Sequence, residues 1–123
     1  MLRLPHRGVT PDVIEEVRPL LDPVRLAKAQ AELDATVLPD DVAKYLIAVV
    51  RRTRELPNVI LGGSPRSAIH LMSAARARAR LAGRDRVVRE DVAEMALPVL
   101  RHRLVVDGTT PAEAVAAAVA GAA

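Results

Sequence analysis

The residues best placed to do chemistry stand together in Gly62-Gly63-Ser64-Pro65-Arg66. Serine followed by proline is a helix start, the serine capping and the proline taking the first helical position. A helix N-terminus offers free N–H groups and positive potential, which suit an anion. Two glycines ahead of it allow a close backbone approach. Arg66 then falls at the second helical position, where the helix dipole disfavours a cation, a small local cost that a function would explain. The plainer alternative is a loop and cap with Arg66 solvated, and on spacing alone that alternative has the edge.

Other chemistries find less support. The chain has no cysteine, hence no disulfide, thiolate metal site or cysteine nucleophile. No phosphate-binding G-x-x-x-x-G-K-[ST] loop is present, and neither Lys28 nor Lys44 follows a glycine. No apolar strand ends in Asp-Glu to hold magnesium, so the chain alone cannot hydrolyse a nucleotide by that route. His6, His70 and His102 are far apart and lack partners at metal spacing, which predicts packing or surface roles and no metal site. No strand–turn–helix elbow surrounds Ser64, Ser67 or Ser73. Arg76, Arg78, Arg80, Arg84, Arg86 and Arg89 make a basic stretch. With Asn58 and Gln30 the only amides and no Phe or Trp to stack on bases, nucleic acid is not the expected partner. A solvated or protein-facing surface is.

The elements that must position these residues follow from composition and punctuation. Of 123 residues, 50% are hydrophobic but only 1% aromatic, so the core is Leu, Val, Ile and Ala, a mixture that favours packed helices. Residues 51–103 hold 12 of the 18 basic residues and 5 of the 15 acidic ones. No apolar run approaches the roughly 18 residues of a membrane span, and the first residues lack a signal peptide's apolar stretch, so a cytoplasmic protein is expected. Thr10-Pro11 starts a short helix that Pro19 stops. Asp22-Pro23 starts a helix to about Asp34, with Leu26, Ala29, Gln30 and Leu33 on one face. Pro39 or Asp40 starts another, whose stripe is Val42, Tyr45, Leu46, Val49 and Thr53, with Tyr45 in the core and its hydroxyl at the edge. Arg51, Arg52 and Arg54 sit in its last turn, where cations favour the dipole, and Pro57 marks the exit.

Val59–Leu61 reads as an extended segment pressed into the core. Ser64 caps a helix to about Leu81, with Ala68, Leu71, Met72, Ala75 and Ala79 buried and Gly83 as its stop. Residues 86–88 are extended, and Glu90–Leu100 is a helix kinked or shortened by Pro98. Residues 104–106 are extended, Asp107-Gly108 turns, and Thr110-Pro111-Ala112-Glu113 is a capping box opening an Ala-rich helix to about Ala120, a frayed tail or part of an interface. The prediction is an all-α bundle of about five or six helices. It divides into a lead-in segment (1–22), a helical domain (23–106) and an Ala-rich helix or tail (107–123).

Several blocks occur in a telling order: Thr53-Arg54-Glu55-Leu56-Pro57, Leu61-Gly62-Gly63-Ser64-Pro65-Arg66-Ser67-Ala68, Gly83-Arg84-Asp85-Arg86-Val87, Glu90-Asp91-Val92 and Val99-Leu100-Arg101-His102-Arg103-Leu104. Together they resemble the C-terminal lid domain of MoxR-family AAA+ ATPases across about residues 20–106. Gly63 replaces that family's alanine, which loosens the loop, and Arg89 stands where Thr or Ser usually caps a helix.

The resemblance implies a small helical lid behind a P-loop core domain, with ATP between them and its magnesium held by the core. It makes Arg66 the sensor-2 arginine, the one catalytic residue expected here, and places Gly62, Gly63, Ser64 and Arg66 at the nucleotide. His102 and Arg103 would make structural contacts. The family's members are chaperone-like remodelling ATPases that form ring homo-oligomers, often hexamers, and often act on proteins with von Willebrand A-type domains. No P-loop core lies in these residues, so an excised domain, a truncated reading frame or a stand-alone relic is expected, without catalysis of its own. Two alternatives stay open: a small basic helical DNA-binding or regulatory protein, and a free-standing adaptor that docks through its Ala-rich end.

Overall fold

The computed structural model describes residues 17–122. The helix expected from Thr10 and the side chain of His6 lie outside them. The chain divides into two units, with the boundary between Gln30 and Ala31. In the first, Asp22 caps the start of a helix, α1 (Pro23–Asp34), whose last turn belongs to the second unit, its Oδ1 accepting from the Arg25 N–H at 2.7 Å. The helix ends where expected but buries none of its residues.

The second unit is the packed one. It holds α2 (Asp40–Arg52), β1 (Val59–Leu61), α3 (Pro65–Leu81), α4 (Arg89–Leu100), β2 (Val105–Val106) and α5 (Pro111–Ala120). Among the described residues the fold is all-α but for the small β1–β2 ladder and one isolated bridge. The proline-marked starts hold: Ser64 and Thr110 cap α3 and α5 through reciprocal boxes with Ser67 and Glu113. A positive φ at Gly83 turns the chain out of α3 and another at Gly108 turns it toward α5, conformations that glycine adopts without strain.

α3 and α4 pack most extensively, α5 lies on α4, and α2 touches all three. Leu71, Ala75 and Ala79 of α3 meet a core that includes Val92, Ala96 and Leu100 of α4 and Val49 of α2. Small alanines let helix backbones approach, which is how a core without Phe or Trp closes. α5 buries Ala114, Val115 and Ala118, so the Ala-rich segment is a helix with a buried face.

One expectation needs correction and another is narrowed. Val59–Leu61 is not pressed into the core: it pairs antiparallel with Val105–Val106, and Ile60 and Leu61 remain 71% and 59% exposed. Pairing covers a strand's edge and not its faces, and of these three residues only Val59 packs against the core. Pro98 does not end α4, which runs on to Leu100. The ring costs the one bond that an N–H at this position would have made to the Glu94 carbonyl, and the helix continues past it for two more residues.

The elbow between α3 and α4 is held by a buried charge. The Asp91 side chain has no solvent exposure. Its carboxylate accepts from both Arg84 Nη atoms, at 2.7 and 2.6 Å, and from the Val88 N–H at 2.9 Å. Arg78 joins at 3.3 Å and also donates to Glu94 at 2.9 Å. Nearby, Val37 and Arg86 form a parallel bridge, and Arg80 Nε donates to Thr36 Oγ1 at 2.8 Å. Arg89 lies 5.2 Å from the centre of the buried Tyr45 ring. Much of the basic stretch is thus committed to internal contacts.

The Arg84 fork beside Asp91, with help from the Val88 N–H, holds that carboxyl below its ordinary pKa. In acid the unfolded chain therefore takes up a proton that the folded chain refuses, and stability falls as pH drops through the lowered value. Asp91→Asn should cost about 2–3 kcal/mol, less than a fully buried pair because the Arg84 side chain is 35% exposed. It should also flatten the fall in stability below about pH 4, checked by urea unfolding at a series of pH values.

Candidate functional site

The loop from β1 into α3 is built by the two residues that end α2. Thr53 follows its last turn and is fully buried. Its hydroxyl donates to the Val50 carbonyl at 2.6 Å and accepts from the Gly63 N–H at 2.8 Å. Arg54 then turns back, and its Nε–H donates to the Gly63 carbonyl at 2.7 Å. Both polar groups of the Gly63 backbone are thus held by consecutive residues.

The same contact explains the glycines. A Cβ on Gly62 would lie 2.6 Å from Arg54 Cγ and 2.8 Å from its Cα and N. A Cβ on Gly63 would meet Val50 Cγ1 at 3.1 Å, a tight but yielding neighbour. What the glycine pair admits closely is the chain's own backbone.

From Gly63 the order passes to α3. Ser64 N–H donates to Ser67 Oγ at 3.1 Å, and Ser67 N–H donates back to Ser64 Oγ at 3.3 Å. The free end that remains is Arg66. Its side chain is exposed, and among the described residues neither its guanidinium nor its N–H has a partner. A cleft of about 300 Å³, lined by Ile47, Val50, Arg51, Arg54, Pro65 and Ala68, lies alongside. The structure brings Gly62, Gly63, Ser64 and Arg66 into one feature: the first three shape and hold the loop, and the fourth projects from it. His70 and His102 are exposed, and among the described residues no group of three or more His, Asp or Glu gathers to hold a metal.

In the sequence Thr53 reads as part of an apolar stripe and Arg54 as a cation at a helix C-terminus, and neither reading points to the loop contact. A threonine inside a buried stripe was the available signal, since a buried hydroxyl requires a partner.

Residues 51–120 match the family model of the AAA lid domain. The chain belongs to that family. The lid is 34% identical over 107 residues to the chaperone MoxR1 of Mycobacterium tuberculosis (strain ATCC 25618 / H37Rv), covering 80% of this chain and 28% of that protein. It is 36% identical over 91 residues to the uncharacterized protein YeaC of Bacillus subtilis (strain 168), covering 74% and 28%. A crystal structure of a candidate ATPase from Cytophaga hutchinsonii ATCC 33406 superposes with a TM-score of 0.71 at 25% identity, covering 76% of this chain and 33% of that one. The lid therefore spans less than a third of the length of both curated relatives, and it is of the MoxR type of AAA+ ATPase.

Gly62→Ala should cost about 2–4 kcal/mol, because the clash is with backbone, whereas Gly63→Ala should stay within about 1 kcal/mol. Thr53→Val, nearly isosteric, should cost about 1–3 kcal/mol by stranding the Gly63 N–H. Chemical denaturation of the three variants checks the order.

Proposed function

We propose that this lid closes over the nucleotide of a P-loop core domain and that Arg66 is its sensor-2 arginine, meeting the γ-phosphate of ATP. The observation that carries this is the exposed Arg66, without a partner among the described residues, at the second position of α3, on a loop held from behind by Thr53 and Arg54. Membership of the AAA lid family supports it. A planar guanidinium suits phosphate oxygens, and charge spreading over them during transfer makes such a contact strongest in the transition state. The free Arg66 N–H, at the positive end of α3, adds a second donor for the same anion.

Gly62, Gly63 and Ser64 serve the nucleotide by fixing where Arg66 stands. The family resemblance assigns the magnesium to the core domain. Losing the γ-phosphate would remove the partner of Arg66, and the lid would report that loss as a change of position.

At the level of the whole protein we infer a chaperone-like remodelling ATPase of the cytoplasm. Its subunits would form a ring, and proteins with von Willebrand A-type domains are the expected class of partner. The chain's similarity to the chaperone MoxR1 supports this extension.

The test places this chain behind a P-loop core of its family. Arg66→Ala should lower ATP turnover by about a hundredfold while leaving the lid's circular dichroism unchanged. Unaltered kcat and KM would remove Arg66 from the site.

A further inference from the structure

We propose that Arg54 is a positioning residue for Arg66, acting through the Gly63 carbonyl; this rests on Arg66 being the sensor. Two adjacent glycines are the most pliable link a chain can contain, and here they stand four and three residues before the functional guanidinium. Rotation at Gly63 would sweep α3's first turn, and Arg66 with it. Thr53 holds one polar group of Gly63 and Arg54 holds the other, so neither ψ nor φ there turns freely.

Arg54 is not simply capping α2. The last carbonyls of that helix are already taken: Val50 by the Thr53 hydroxyl, Arg51 by the Arg54 N–H and Arg52 by the Glu55 N–H. The side chain instead reaches nine residues onward. Its stem is also the surface on which Gly62 rests. Since the bond is made by Nε, partway along the side chain, it fixes the stem as well as the tip. Lysine keeps the charge but carries its donor one atom farther out, so charge and geometry can be separated.

The experiment has two arms. In the chain alone, Arg54→Ala should speed amide exchange at Gly63 and Ser67 by about tenfold, with α4 amides unaffected. Unchanged exchange at Gly63 would overturn the proposal. With a P-loop core attached, Arg54→Ala should lower kcat by about tenfold to a hundredfold with little change in KM for ATP. The same substitution on an Arg66→Ala background should add less than about a twofold loss, because two residues acting through one contact are not additive.

An equal loss on both backgrounds, or full rescue by Arg54→Lys, would show that Arg54 acts some other way. If Arg66→Ala is itself silent, the sensor reading fails and takes the catalytic role of Arg54 with it. The exchange arm would still report whether Arg54 holds the loop.

Discussion

One buried hydroxyl organises the working end of this domain. Thr53 Oγ1 donates to Val50 and accepts from Gly63, tying the exit of α2 to the entrance of α3. A hydroxyl in an apolar environment must find partners or carry a desolvation cost, and here satisfying it requires the loop to come to one place. Gly62 follows from that requirement, because the returning loop lies on the backbone of Arg54. The Ser64–Ser67 box then hands the fixed position to α3. Each step is short-range chemistry, and together they set the origin from which Arg66 projects.

The second organising feature is Asp91, which draws in Arg84 and Arg78. A carboxylate with no exposure is costly unless its oxygens are filled, and a two-pronged arginine plus a backbone N–H fills them. This changes the meaning of the arginine-rich composition. Several cations between Arg76 and Arg89 are structural ligands of one acid, one hydroxyl or one aromatic ring, so their density is no measure of affinity for polyanions.

How far the sequence could be read depended on the range of the interaction responsible. The starts of α1, α3 and α5 were legible to the residue, because Asp22-Pro23, Ser64-Pro65 and Thr110-Pro111 carry their capping chemistry locally. The buried stripes of α2 and α3 were largely legible from helical spacing, although the spacing passes over Val50 and Ser67, and Ala68 and Met72 are only half-buried. The depth of Val59–Leu61 was not, since it depends on pairing with residues more than forty positions away. Arg66 stood out through its neighbours and through resemblance. Arg54 did not, because its partner is a backbone carbonyl, which has no signature in sequence.

Arg66 is mounted on two supports at once. α3 carries it covalently, and α2 grips the segment just ahead of it through Thr53 and Arg54. A pliable joint there would let one helix drift while the other stood still; the paired bonds at Gly63 remove that joint. The domain can then work as a lever arm, with torque applied to α2 arriving at the guanidinium instead of dissipating in slack.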